Sequence, residues 1–178
     1  MTDNKGSLSP IQQKFILQWG EMGARWGINR TVAQVHALLF LSPRPLNAEE
    51  IATTLGVARS NVSTSLRELQ GWGIVRIVHL LGDRRDHFES MKDVWEMFRI
   101  IIDERKKREA DPVLNTLREA VAEAKKPGAA DAYTRERLGD MLQFFELMSG
   151  WVEQTRKLPT AALVRMVKAG DKIARMFG

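Results

Sequence analysis

The sequence predicts a mainly α fold with one small antiparallel β element near its middle. Apolar residues recur at helical spacing over most of the 178 residues. Between residues 74 and 90 this spacing gives way to alternation, with β-branched residues before the Gly82-Asp83 pair. Alternation around a Gly-Asp pair is typical of a two-stranded hairpin, here with its tip at residues 81–85.

Two amphipathic helices are expected before the hairpin. Ser9 can cap the first helix with Pro10 in its first position, and the helix should run to about Arg25. Its apolar residues at helical spacing are Ile11, Phe15, Trp19, Met22 and Trp26. A second helix, with Val32, Val35, Leu38 and Leu39 on its inner side, should end at the segment "SPRP".

The segment "LNAEEIATTLGV" predicts a short, well-capped helix. Asn47 can cap its first turn while Glu50, three residues later, reaches back, as in a capping box. Leu46 and Ile51 stand at the positions of a hydrophobic staple. Gly56 ends the helix after about two turns.

The next segment, "ARSNVSTSLREL" at residues 58–69, has an unusual composition for a helix. Val62, Leu66 and Leu69 lie on one side and should be buried. Ser, Asn and Thr are indifferent helix formers, yet they dominate the other side. The outward residues are Arg59, Ser60, Asn61, Ser63, Thr64 and Arg67.

Helix, short helix, tight turn, polar-faced helix and hairpin form the order of a winged helix-turn-helix. In that motif the second helix of the pair enters the major groove of DNA. Short hydroxyls and amides can bond to bases or phosphates at close range, and Arg67 can reach a guanine. We therefore interpret the outward residues as a DNA-binding surface. The alternative is an ordinary solvated face.

The hairpin tip, "LGDRRDHFE", supplies a second candidate DNA contact. Arg84 and Arg85 suit insertion into a narrow minor groove, and either Asp83 or Asp86 could hold one arginine while the other reaches DNA. The alternative is a simple charged turn. Net charge gives little support for DNA binding by this segment, because residues 46–90 contain five Arg and six Asp or Glu, although the whole chain carries a net charge of +5.

Helices are again expected after the hairpin. Ser90 with Asp93 should cap one that carries Met91 and Val94, and Asp111-Pro112 marks a kink or restart. Further helices should begin at Ala132 and near Pro159. The resulting division is an N-terminal dimerisation helix (1–28), a winged helix-turn-helix (29–90) and a helical dimerisation and effector region (91–178). Apolar residues on two sides of the helix after Ala132 predict a two-fold homodimer.

Several classes of protein find no support in the sequence. The chain has no cysteine, and His36, His79 and His87 are not spaced as metal ligands, so we expect no metal or other cofactor. We expect His36 in a core helix and His79 opposite His87 across the wing. Catalytic motifs are missing, which predicts no enzyme. The polar N-terminus and short apolar runs predict a cytoplasmic protein without a membrane span.

Residues 46–90, followed by "KDVWEMFRIIIDERKKRE", resemble the GbsR-type branch of the MarR-like transcriptional regulators. The resemblance covers roughly residues 15–125 and is specific in "ARSNVS", "LQGWG" and "GDRRDHFE". It implies a homodimeric regulator, usually a repressor, with residues 59–67 as recognition segment and Arg84 and Arg85 in the wing. Ala58 departs from the pattern, because a serine often caps that helix.

The resemblance also implies an effector, since some relatives sense choline-type compounds. Aromatic residues can hold a quaternary ammonium by cation–π attraction. Trp95, Phe98 and Trp151 are the candidate effector residues, although rings in helices usually belong to the core. The predicted function is an effector-responsive repressor binding a pseudo-palindrome. The alternatives are a winged-helix module for protein contacts and an architectural DNA-binding protein without sequence preference.

Overall fold

The structure is a computed structural model that describes residues 8–177, with side chains described as far as residue 170. Two compact units divide the chain, Met1–Ile100 and Ile101–Gly178. The helices are α1 (Pro10–Arg25), α2 (Arg30–Leu41), α3 (Ala48–Leu55), α4 (Arg59–Gly71), α5 (Val94–Arg105), α6 (Asp111–Ala124), α7 (Ala132–Arg156) and α8 (Thr160–Phe177). The strands are β1 (Leu46–Asn47), β2 (Val75–Val78) and β3 (His87–Ser90). The predicted mainly α fold with a small antiparallel sheet is confirmed.

Helix α1 begins as predicted and packs closely against α2. Ser9 and Gln12 form a reciprocal capping box, in which the Ser9 side chain accepts from the Gln12 amide at 3.3 Å. The buried residues are Ile16, Gly20 and Gly23, whereas Ile11, Met22 and Trp26 are exposed. A Cβ on Gly23 would stand 2.6 Å from the Cβ of Ala33. The two glycines therefore let α1 approach α2 closely, while Ile11, Met22 and Trp26 contribute no buried surface to the single chain.

The core of the first unit forms around α2, which is buried along most of its length. Val35 and Leu39 are 0% and 1% exposed, and α2 packs against α4, in which Val62 and Leu66 are also buried. His36 is also buried, at 4% exposure, as predicted for a core histidine. This core fixes α3 and α4 with respect to α2.

Helix α3 has the start and end that the sequence predicts. The Asn47 side chain accepts from the amides of Glu49 and Glu50, each at 3.0 Å, and the Glu50 carboxylate accepts from the Asn47 amide at 2.9 Å. Leu46 and Ile51 are both buried. Gly56 takes a left-handed conformation, φ 65°, which costs glycine little and turns the chain sharply into α4.

The wing is a three-stranded antiparallel sheet in the order β1-β3-β2 rather than a lone hairpin. β3 pairs with β2 through Ile77 and Phe88, and with β1 through Leu46 and the same Phe88. His87 pairs with Val78, not with His79. The predicted position of His79 opposite His87 was therefore wrong by one residue, because the ladder ends at Val78 and the loop from residue 79 to 86 is longer than expected.

Helix α5 is capped by Asp93 and not by Ser90. The Asp93 side chain accepts from the amides of Trp95 and Glu96, at 2.9 and 3.0 Å. Ser90 lies in β3 and its hydroxyl donates to the Met91 carbonyl. The predicted helix start was thus three residues early, because Ser90 is used by the sheet.

Lys92, in the connection before α5, caps the end of α2. Its amino group donates to the carbonyls of Leu39, Phe40 and Ser42 at 2.8, 2.7 and 3.0 Å. These are carbonyls at the C-terminal end of α2, where helical partners run out and a positive charge is favourable. The connection after the wing is thereby tied to the helix that precedes it.

The second unit is helical throughout its ordered elements. A π-helical turn, Lys106–Ala110, precedes α6, and the Asp111 amide donates to the Lys106 carbonyl. The helical backbone thus continues through Asp111-Pro112, because the wider turn accommodates a proline that lacks an N–H. α7 is capped by Asp131, whose side chain accepts from the Thr134 amide, and α8 runs to Phe177.

Candidate nucleic-acid interface

The helix α4 is anchored by one apolar side. Val62, Leu66 and Leu69 are at most 2% exposed. The buried Ser65 satisfies its hydroxyl by donating to the Asn61 carbonyl at 2.8 Å. Ala58 stands at the N-cap without a side-chain hydrogen bond. The helix is therefore held by packing and not by its cap.

The opposite side of α4 lies on the surface of the protein. The exposed residues are Arg59, Ser60, Asn61, Ser63, Thr64 and Arg67. Arg67 lies over its own helix, since its guanidinium donates to the Thr64 hydroxyl at 3.3 Å. Every α4 residue that the sequence assigns to DNA binding is thus accessible on one face, and the face is polar and cationic.

The two wing arginines differ in their surroundings. The Arg85 guanidinium donates to Asp83, with its Nε 2.9 Å from Oδ1, and the Arg85 amide donates to the same oxygen at 3.0 Å. These hydrogen bonds, followed by the charge of Arg85, hold the pKa of Asp83 well below its usual range. The Arg85 Nη1 also lies 3.9 Å from a Glu49 carboxylate oxygen.

Arg84 is exposed and has no ion-pair partner in the described part of the chain. Asp83 is thus the acid that holds an arginine, and Arg85 is the arginine that it holds. Asp86 instead lies 3.9 Å from His79. Of the two predicted wing residues, Arg84 has the guanidinium available for an external anion.

A cavity of about 490 Å³ separates α4 from the wing. Arg59, Ser63 and Arg67 line its helix side, and Arg85 and Phe88 line its wing side. The structure thus brings both predicted segments to one concave surface. Glu49, Gln70 and Asp86 also line it and were not among the predicted DNA-binding residues.

The wing is fixed by its buried histidine. The His87 ring is 3% exposed, its Nδ1 lies 3.0 Å from the Arg85 carbonyl, and its Nε2 lies 3.6 Å from Asp83. The same two residues, Asp83 and Arg85, form the hydrogen-bonded ion pair described above. His87 therefore supports the loop that presents Arg84.

The candidate effector residues are not assembled into a described cavity. Trp95 is half-buried and Phe98 is 48% exposed, both on α5 in the first unit. Trp151 is 53% exposed on α7 in the second unit. A second cavity, of about 630 Å³ beside Leu41 and Arg44, is lined by none of them.

Other kinds of site receive no support in the described residues. Within residues 8–170, no group of three His, Asp or Glu side chains lies close enough to hold a metal ion. In the described part of the chain, no helix has the length and apolar character needed to cross a membrane.

Comparison with known proteins supports the winged-helix assignment. Residues 26–86 match the model of the MarR family. The fold is a MarR-like winged helix. The matched range contains α2 to α4, β1, β2 and the loop with Arg84 and Arg85. No curated protein has a significantly similar sequence.

Solved structures with a similar fold include a transcriptional regulator that is 22% identical, with a TM-score of 0.62, over 89% of this chain and 99% of the other. The transcriptional regulator Tm0710 from Thermotoga maritima is 17% identical over 83% of this chain and 92% of its own, with a TM-score of 0.39. A single-residue variant of ZitR from Lactococcus lactis is 12% identical over 85% and 80%, with a TM-score of 0.28. At these identities the first similarity supports the fold.

Proposed function

We propose that this protein is a DNA-binding transcriptional regulator that recognises its site through α4 and the wing. The observation that carries the proposal is the exposed polar and cationic face of α4, which shares one concavity with the wing. An ordinary solvated helix gains nothing from Ser, Asn and Thr at such positions. The MarR-family match over residues 26–86 supports the same function.

The two elements would contact different parts of the duplex. α4 enters the major groove, where Arg67 leaves Thr64 to reach a guanine and the short polar side chains bond to bases or phosphates. The wing lies along the backbone and places Arg84 at the minor groove, where a narrow groove concentrates negative potential. Arg85 remains with Asp83 and keeps the loop in shape.

We propose a homodimer as the DNA-binding form. α7 has no buried residue within the single chain, and apolar side chains lie exposed along it. They include Met141, Phe144, Leu147, Met148 and Trp151, at 43–70% exposure. Contiguous exposed apolar surface of this kind marks an interface. A two-fold axis would place two α4 helices about 34 Å or a multiple apart, which matches a pseudo-palindromic site.

More specifically, we propose that the protein is a repressor of the GbsR type that responds to a quaternary ammonium compound. Aromatic rings attract such a cation, which cannot donate a hydrogen bond. Trp95, Phe98 and Trp151 each present at least part of a ring to solvent in the single chain. A ligand held by these rings would change DNA binding only if it binds two conformations with different affinity.

Footprinting of the region upstream of the protein's own gene tests the proposed function. We expect protection of a bounded inverted repeat. Arg67→Ala should weaken binding there by about 1–3 kcal/mol and relax preference at one base pair. The matched control is Arg118→Ala, which removes the same charge from α6 in the second unit.

Each alternative function predicts a different result. Protection without sequence boundaries would indicate an architectural protein, and no DNA binding would leave a module for protein contacts. A monomer by light scattering at micromolar concentration would contradict the dimer.

For the effector, calorimetry with choline and glycine betaine should give saturable binding that Phe98→Ala weakens and Tyr133→Ala, on α7, leaves unchanged. Absence of binding at millimolar ligand would refute the quaternary ammonium assignment.

A further inference from the structure

The tip of the wing is a tight turn with an apolar apex. The Asp83 amide donates to the Leu80 carbonyl at 3.1 Å, which closes the four-residue turn from Leu80 to Asp83. Gly82 has φ 85°, the conformation that the third position of a type II turn requires. Leu81 occupies the second position, where most residues are compatible, so the turn itself does not call for leucine.

Leu81 is the most exposed large apolar side chain of residues 8–170, at 108% of its reference surface. Its neighbour Leu80 is 38% exposed. Leu81 therefore contributes no buried surface to the fold, and its side chain projects beyond the wing without packing against residues 8–170. Isolated exposed leucines are common on protein surfaces, so exposure alone does not indicate a function for Leu81. The informative observation is where Leu81 lies in the protein.

The position of Leu81 is within the proposed DNA surface. Arg84, three residues further on, is the wing arginine with its guanidinium available, and the Asp83 carboxylate between them is neutralised by Arg85. A polyanion that approaches the tip thus meets an apolar side chain beside a free cation. Asp86, on the far side of the loop, lies near His79.

We infer that Leu81 is an apolar wedge that enters the minor groove and partly unstacks one base step. The inference rests on the proposed function. Leucine is among the side chains that minor-groove proteins insert between base steps, where they kink the duplex. A turn at the end of a two-stranded ribbon presents a single side chain, as a groove about 6 Å wide requires. Unstacking costs least at pyrimidine–purine steps, so the wedge would add preference for such a step beneath the wing.

Base unstacking can be measured on a duplex from immediately upstream of the protein's own gene. The fluorescent adenine analogue aminopurine, placed in turn at each step beneath the wing footprint, brightens when it is unstacked. We expect wild type to brighten one step. Leu81→Ala should abolish that signal, reduce the bend measured by energy transfer between the duplex ends, and weaken binding about tenfold. Leu81→Phe should retain the signal, because phenylalanine is also a wedge.

Two further variants separate a wedge from charge and from a general change in the tip. Leu81→Arg should restore affinity through a phosphate contact without restoring the aminopurine signal. Leu80→Ala removes the same atoms one residue away and should keep the signal. Replacing the pyrimidine–purine step by a stiff A-tract should weaken wild type more than Leu81→Ala.

The outcomes distinguish the inference from the proposed function. Wild-type protein that gives no saturable DNA binding overturns both. The role of Leu81 as a wedge is refuted if wild type protects a bounded site but brightens no step, or if Leu81→Ala keeps the signal and the bend. Either result leaves the proposed function as a DNA-binding regulator unaffected. Equal loss in Leu80→Ala also refutes the assignment to Leu81. Since Leu81 is exposed, its variants should match wild type in thermal unfolding, and the same measurement checks that Leu80→Ala still folds.

Discussion

Protonation of His36 should destabilise the first unit at mildly acidic pH. Burial, with the positive charge of Lys92 adding, lowers the pKa of His36 from 6.5 to about 4. The ring is packed between Trp19 and Phe40, with centroids 6.2 Å from each, and its Nε2 has no hydrogen-bond partner among the residues that the structure describes. A proton added there would charge a site that offers no compensation.

The direction and size of the change in stability with pH follow from the linkage between protonation and folding. The folded state binds its proton less readily than the unfolded state, so the stabilisation is fully present above pH 6.5 and is lost as the pH falls towards 4. At about 1.36 kcal/mol per pKa unit, the loss reaches roughly 2 kcal/mol at pH 5 and about 3 kcal/mol below pH 4. This is a large part of a typical domain's stability.

Urea unfolding between pH 7.5 and 4.5, followed by tryptophan emission, measures the effect. His36→Leu should be as stable as wild type or more so at pH 7.5, because it removes an unsatisfied polar atom, and should lose about 2 kcal/mol less than wild type on going to pH 5. His79→Leu is the matched control, since its ring is 82% exposed and the pH dependence should persist. Parallel pH profiles for wild type and His36→Leu would refute the reasoning.

Three other results are expected. Arg84→Ala should reduce the magnitude of the slope of log affinity against log salt by about one unit, as for one lost phosphate contact. Arg85→Ala should change this slope less, because Asp83 already neutralises Arg85. Equal slopes for the two variants would contradict this difference. Lys92→Met should lower the free energy of unfolding by about 1–3 kcal/mol, since three carbonyls at the end of α2 lose their donor, and Lys92→Arg should recover part of it in the same urea assay. Gly23→Ala should cost about 1–3 kcal/mol by forcing α1 from α2, while Gly71→Ala, with no atom within 4 Å of the new Cβ, should not show that steric cost.

Features set by neighbouring residues were predictable from the sequence. The capping box of Asn47 and Glu50, the left-handed Gly56 and the buried side of α4 each depend on residues within a few positions of one another. Local hydrogen bonds and helical periodicity decide them before any tertiary contact forms. The exposed α4 residues followed directly, because a helix that buries Val62 and Leu66 must present the rest.

Features set by distant contacts were not predictable in the same way. β1 has two residues, too few for an alternating pattern, and exists because β3 pairs with it. Lys92 finds the end of α2 more than fifty residues earlier in the chain. In α1, the large apolar residues at helical spacing do not identify the packing contact with α2, since close packing there depends on Gly20 and Gly23. Two glycines at i and i+3 were the available signal.

Which wing arginine pairs with an aspartate, and which is left available, could be decided only from the structure. The sequence offers Asp83 and Asp86 as acids and Arg84 and Arg85 as partners, and every pairing is close enough along the chain. The turn closed at Gly82 brings Asp83 onto the side of Arg85, where His87 and Glu49 also lie. The available charge is therefore a property of the turn rather than of composition.

Asn47 belongs to two elements at once. It is the last residue of β1, paired with His87 of the wing, and its side chain also caps α3 by accepting from the amides of Glu49 and Glu50. Breaking the sheet at this residue would remove the cap, and fraying α3 would release the strand. The base of the wing and the start of α3 should then open as one cooperative segment, with backbone amides that exchange with solvent deuterium at a common rate. Such a shared opening would set how quickly the wing can leave a groove without loosening the core beneath it.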